Sequence, residues 1–185
     1  MISQSGESND QRLSPNESNE KNGYNEQQQS LGDRILMAAE NGDICEVKTC
    51  LKIDKSLVHS VDSDLYTPLH RSAYGNHIQV MKLLIDSGAN PTARTATGWT
   101  PLHSAAQWAH IDAVDLLLNC GADINAVSDG GNTALHLAAK HKKRNLLELL
   151  LYNEDIDSLA KNDSGESAYD IAYRASPLYQ LWQYL

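Results

Sequence analysis

The stretch Gly98-Trp99-Thr100-Pro101-Leu102-His103-Ser104-Ala105-Ala106 decides how this chain folds, because it recurs. Thr67-Pro68-Leu69-His70 stands 33 residues before its central tetrapeptide, and Thr133-Ala134-Leu135-His136 stands 33 residues after it. A fainter echo, Ser167-Ala168-Tyr169-Asp170, follows after a further 34. A fixed period of this length means a stack of one supersecondary unit, not a single wound domain. Such a stack buries a continuous core and leaves a long exposed face. That face is suited to holding a partner and offers no obvious pocket for chemistry.

The same helical grammar accompanies each copy. Thr can cap a helix with its side-chain oxygen, and Pro68 or Pro101 at the first helical position gives up an N–H that has no partner there in any case. A pair of small residues follows (Ser72-Ala73, Ala105-Ala106, Ala138-Ala139), which lets neighbouring helices approach closely. A second helix then carries an apolar run: Val80 to Ile85, Val114 to Leu118, and Leu146 to Leu151. These runs are too wide for one amphipathic stripe, as expected of a helix packed between two neighbours. Gly88 and Gly121 are placed to close the second helix in the left-handed conformation. Turn-rich segments around Asp62-Ser63-Asp64, Ala96-Thr97-Gly98, Asp129-Gly130-Gly131 and Asp163-Ser164-Gly165 suit tight hairpin-like tips between units.

Outside the repeats the chain is different. Residues 1–30 hold only Met1, Ile2, Leu13 and Tyr24 as sizeable apolar groups, too few to offset the entropy of ordering the segment, so a disordered polar and acidic tail is expected there. The whole chain has 15 Lys and Arg against 24 Asp and Glu, a net charge of -9. An acidic surface of this kind repels phosphate backbones and argues against direct nucleic-acid binding. No apolar run approaches a membrane span, and the N-terminus lacks a secretory pattern. Three cysteines without metal-ligand spacing read as reduced thiols, buried or inert, of an intracellular protein.

The recurring Thr-Pro-Leu-His, the small pair, the leucine run and Gly121-Ala122-Asp123-Ile124-Asn125-Ala126 together resemble the ankyrin repeat over nearly all of residues 33–175. The resemblance implies an all-α solenoid of paired antiparallel helices with short β-hairpin-like tips, used for protein binding and usually without enzymatic activity. The repeat domain is expected over residues 31–185, with units at about 33–65, 66–98, 99–131 and 132–165 and a C-terminal cap at 166–185. In the first unit Asp33-Arg34 stand in place of Thr-Pro. Asn76, Ala109 and Lys142 stand where the family has Gly between the helices, so less regular turns are expected at those places. A closer likeness within the family, carried by Tyr66 to Arg71, Gly98 to Ser104 and Trp108, implies a nuclear or cytoplasmic regulator associated with positive control of transcription.

In this family the exposed positions are the residue before the tetrapeptide and the two after the small pair. Here they hold Tyr66, Tyr74 and Gly75, then Trp99, Gln107 and Trp108, then Asn132, Lys140 and His141. Clustered aromatic side chains on a surface are typical anchors of protein binding. Tyr66, Tyr74, Trp99, Gln107, Trp108, Lys140 and His141 are therefore the candidate partner-binding residues; the plainer alternative is that Tyr66 and Trp99 seal neighbouring hairpins. Lys140-His141-Lys142-Lys143-Arg144 is the one basic run, readable as an acidic-partner contact, an import signal or simply solvated charge. Asn125 matches a position at which ankyrin repeats can be hydroxylated, although a turn-stabilising amide is the simpler expectation.

His70, His103 and His136 are one repeat apart, about 10 Å by helix diameter, whereas zinc needs ligands within about 2.1 Å of one ion. The resemblance assigns each of them to hydrogen bonds within its own repeat. No phosphate loop, acid and base pair or activated nucleophile can be assembled, so neither a cofactor, a metal nor catalysis is expected. The reading is a monomeric, non-enzymatic module that binds another protein. The alternative is a substrate adaptor or inhibitory subunit of a ubiquitin ligase or kinase complex.

Overall fold

The computed structural model describes residues 30–175 and 177–184; of the tail expected at residues 1–30, residues 1–29 lie outside the described residues. The described chain is helical throughout. Helix α1 (Leu31–Asn41) pairs with α2 (Ile44–Ile53), α3 (Pro68–Tyr74) with α4 (Ile78–Asp86), α5 (Pro101–Trp108) with α6 (Ile111–Asn119), and α7 (Ala134–Lys140) with α8 (Arg144–Leu151). Helix α9 (Ala168–Ala175) and a 3-10 segment, Pro177–Tyr184, close the stack, and a shorter 3-10 turn, Lys55–His59, follows α2. Contacts run α1 to α3 to α5 to α7 to α9 in one row, and α2 to α4 to α6 to α8 in a second. The expected solenoid of helix pairs is therefore present.

Helices of seven to nine residues are too short to hold alone, so packing must supply most of their stability. Leu69, Leu102 and Leu135 of the tetrapeptides are fully buried, as are Ala73, Ala105, Ala106, Ala138 and Ala139. Against them pack Met81, Leu84, Val114, Leu117, Leu146, Leu147 and Leu150 from the second row, in one continuous apolar core. The small pairs are buried because a larger side chain there would push two adjacent first-row helices apart.

The hairpin tips bond to one another. The N–H of Ala96 donates to the Asp64 carbonyl, that of Asp129 to Thr97, and that of Asp163 to Gly130, at 2.8, 3.0 and 3.1 Å. Gly98 (φ +70°) must be glycine at such a tip: a Cβ there would lie 2.9 Å from Asp129 Oδ1 and 3.1 Å from its backbone N.

Three expectations need correction. First, the turns at Asn76, Ala109 and Lys142 are as regular as the one at Gly42. All four residues take a left-handed conformation, with φ of 56°, 58°, 56° and 74°, so the geometry is kept and the non-glycine residues carry its steric cost. Second, Ser30, placed by sequence in the tail, is the N-cap of the first helix and accepts from the Asp33 N–H at 3.0 Å. Third, not every thiol is hidden; Cys50 is buried and Cys120 half-buried, but Cys45 is exposed.

Candidate functional site

The first-row helices present their C-terminal ends side by side, and most of the candidate residues fall there. Tyr74 ends α3, Gln107 and Trp108 end α5, and Lys140 ends α7 with His141 just after it. Tyr74 and Trp108 remain 48% and 50% exposed and meet edge to face, ring centroids 5.4 Å apart. Beside them the His141 Nε2–H donates to Gln107 Oε1 at 3.0 Å, and the Lys140 side chain is exposed. Five of the seven candidates thus form one row across units two, three and four.

The other two belong elsewhere. Tyr66 and Trp99 immediately precede Thr67 and Thr100 at the base of the hairpins and are half-buried. Tyr66 packs edge-on against His70 at 5.6 Å, and the Arg71 guanidinium lies 5.0 Å above its ring. Arg71 is itself held by Asp62 and Glu40. Trp99 tilts against His103 at 6.0 Å and packs on the core. Both rings are built into the hairpins and are only partly open to solvent.

At the N-terminal ends of the first-row helices, beside the hairpins, lies a ladder of buried histidines. Thr67, Thr100 and Thr133 each bring Oγ1 to 2.9 Å from Nδ1 of the histidine three residues on, and their backbone N–H groups donate to the same nitrogen. The far nitrogen leaves the repeat. Nε2 of His70 lies 3.1 Å from the Trp99 carbonyl, that of His103 2.9 Å from Asn132, and that of His136 3.1 Å from Glu166. A carbonyl only accepts, so Nε2 carries the proton and Nδ1 is the acceptor. The expected bonds within each repeat are therefore present through Nδ1, and Nε2 adds a bond that joins each repeat to the next. Burial pushes His70 down to about 4, and it lowers His103 and His136 as well, so the neutral form that this pattern requires is the stable one. Among the described residues no group of three His, Cys, Asp or Glu comes together as a metal site.

A second pair of histidines, unremarked in the sequence, points the opposite way. His77 and His110 precede α4 and α6, and their Nε2 atoms lie 2.8 and 3.0 Å from the carbonyls of Glu40 and Tyr74 in the preceding unit. The His77 ring is so close to Gly42 and Gly75 that a Cβ on either would sit 2.5 or 2.4 Å from it. The signal was available: both histidines lie seven residues after the tetrapeptide histidine. Asn125 also spans two units. Its Nδ2 donates to the Asp155 carbonyl at 2.7 Å, and its Oδ1 accepts from the Asp157 N–H at 2.8 Å. The amide is more than a local turn stabiliser.

Stacked helix pairs, hairpins tied in a ladder and variable side chains along one row define a repeat-built interaction module, and the chain belongs to the ankyrin-repeat family. The family model for ankyrin repeats in three copies matches residues 16–95, 35–128 and 94–162. Among curated relatives the chain is similar to ankyrin repeat domain-containing protein 49 of Homo sapiens, 51% identical over 150 residues. The match covers 80% of this chain and 63% of that relative, so the chain spans less than two thirds of its length. The protein of the same name in Drosophila melanogaster is 45% identical over 64 residues, 35% of this chain and 30% of the relative. The probable E3 ubiquitin-protein ligase XBOS33 of Oryza sativa subsp. japonica is 32% identical over 68 residues, 36% of this chain and 13% of that protein. Among the described residues no helix is long and apolar enough to cross a membrane.

Proposed function

We propose that this chain is a rigid, non-enzymatic recognition module that grips one protein partner through the row Tyr74, Gln107, Trp108, Lys140 and His141, with the partly exposed rings of Tyr66 and Trp99 flanking it. The observation that carries this reading is the half-exposed Tyr74–Trp108 pair. Two large rings are kept at the surface on a backbone tied down by the His110 bond to the Tyr74 carbonyl. Rigid aromatic groups lose little conformational freedom on binding, which is why they serve as anchors. The reading extends to a regulatory role in the nucleus or cytoplasm, with positive control of transcription as its output. What supports that extension is the likeness to the protein 49 group.

The test compares wild type, Trp108→Ala and Tyr74→Ala as baits in native lysate, with each bait's melting temperature measured alongside. A partner retained by wild type and lost by folded variants is expected. Equal retention by all three would refute the face. Tethering the chain to a DNA-binding domain upstream of a reporter tests the regulatory extension, and an unchanged reporter would count against it.

A further inference from the structure

Unit four breaks the pattern of the second histidine series. Lys143 stands where His77 and His110 stand in units two and three, immediately before the second-row helix. Without an imidazole wedged between adjacent turns, a groove of about 280 Å³ remains there. Its walls include Ala109 and Ile111 from unit three and Lys142, Lys143, Arg144 and Leu146 from unit four. Ala109, in one wall, follows Trp108 directly in the chain.

The charge in this place opposes that of the whole molecule. Lys140 to Arg144 place four permanent cations and one imidazole in five residues of a chain whose net charge is -9. Arg144 is engaged by Glu148 at 2.9 Å. Among the described residues Lys140, Lys142 and Lys143 make no ion pair. A basic patch on an acidic background attracts a compact acidic segment, while the acidic surface around it repels one and so confines the contact to the patch.

We propose that the groove between the third and fourth units is a docking site for an acidic peptide segment of a partner protein, its carboxylates against Lys142 and Lys143 and a neighbouring apolar side chain against Trp108. This rests on the reading of the row as a recognition face and gives that face a partner chemistry. Ala109, Ile111 and Leu146 line the groove with apolar atoms beside the cations, so a carboxylate seated there is less solvated than on an open surface and its contact is stronger. The aromatic pair supplies the anchor, and the cations supply orientation and register.

The test uses the full chain and three fluorescein-labelled synthetic peptides, followed by anisotropy. The first peptide is rich in Asp and Glu around a central Leu, the second has those acids as Asn and Gln, and the third replaces the Leu with Ala. The first should bind best, and raising salt from about 50 to about 300 mM should weaken it severalfold. Lys142→Glu with Lys143→Glu should cost at least about tenfold in affinity. Lys143→His is the second variant: it restores the ring of the other units, should preserve or raise the melting temperature, and should still weaken binding by closing the groove.

Equal binding of the acidic and amide peptides, or an unchanged affinity in both variants, would overturn the site. If the Leu-bearing peptides bind through Trp108 whatever their charge, the recognition face stands and the acidic-segment proposal fails. If Trp108→Ala has no effect on any peptide or native partner, the face itself fails. A single-stranded oligonucleotide run in parallel is expected to bind more weakly than the acidic peptide. Tighter, Lys143-dependent binding of the oligonucleotide would replace the proposal with a polyanion site.

Discussion

The Nε2–H of His70 donates to the carbonyl of Trp99, 3.1 Å away and one repeat further along the chain. Trp99 stands at a position that differs from unit to unit (Tyr66, Asn132 and Glu166 in the others), and this bond uses only its backbone. The same holds at Asn132 and Glu166, which accept from His103 and His136. Because a carbonyl is common to every residue type, the side chain at that position can change without losing this inter-repeat bond. That division of labour is what lets a repeat carry an arbitrary binding surface.

Removing one of these rings should be costly. His70→Ala deletes a fully buried side chain and leaves the Thr67 N–H without its acceptor. A loss of about 3 kcal/mol is expected from the cavity and the unsatisfied group together. Urea unfolding would show it, and exchange protection should fall in units two and three together because repeats share stability with their neighbours. A loss below about 1 kcal/mol would mean that the ladder is incidental.

Acid should weaken the stack before it titrates most carboxylates. The pKa of His70 is lowered by burial to about 4 in the folded chain, against about 6.5 when unfolded. Its stabilising contribution is therefore complete above pH 6.5 and is lost as pH falls from 6.5 toward 4, because the unfolded chain takes up the proton first. His70 alone should remove about 2 kcal/mol between pH 6.5 and 5. His103 and His136, lowered by burial too, act in the same direction. Urea midpoints at pH 7.5 and 5.0 check this, and a flat profile would contradict the neutral, buried ladder.

The left-handed turns give a paired prediction of opposite sign. Ala109 sits at φ +58°, so Ala109→Gly should relieve steric cost and raise stability by about 1 kcal/mol. Gly98 sits at φ +70° with Asp129 in the way of any side chain, so Gly98→Ala should lower stability by at least about 1 kcal/mol. Thermal melts of the two variants should move in opposite directions.

Two apolar substitutions separate scaffold from surface. Leu117 is fully buried in α6, and Leu117→Ala should cost about 2–5 kcal/mol. Trp108→Ala removes a half-exposed ring whose described aromatic contact is the edge of Tyr74, so it should cost no more than about 1.5 kcal/mol of stability. Partner binding should weaken by about 2 kcal/mol or more in that variant. Equal stability losses at the two positions would place Trp108 in the core.

Periodicity made most of the fold legible. A Thr-Pro-Leu-His interval of 33 residues, the small pairs and the leucine runs each follow from local chemistry repeated in register, so the helix pairs were readable without coordinates. The candidate face was only half legible. Spacing places Tyr66, Tyr74, Trp99 and Trp108 as one group, but spacing carries no information about which ring turns to a hairpin and which to solvent. The regular turns at Asn76, Ala109 and Lys142 were missed for a related reason. Packing on both sides imposes the left-handed conformation, and residue type alone argues against it.

What the sequence by itself determined is the repeat: its length, its helices, its buried leucines and the threonine that begins each tetrapeptide helix, all set by interactions between residues close in the chain. Only the tertiary structure decided what joins one repeat to the next. His70 to Trp99, His77 to Glu40 and Asn125 to Asp155 span 29 to 37 residues. Such contacts form only once neighbouring units are stacked at a particular distance. The groove at Lys143 is of the same kind, since it exists through the absence of a ring that stacking places there in the other units.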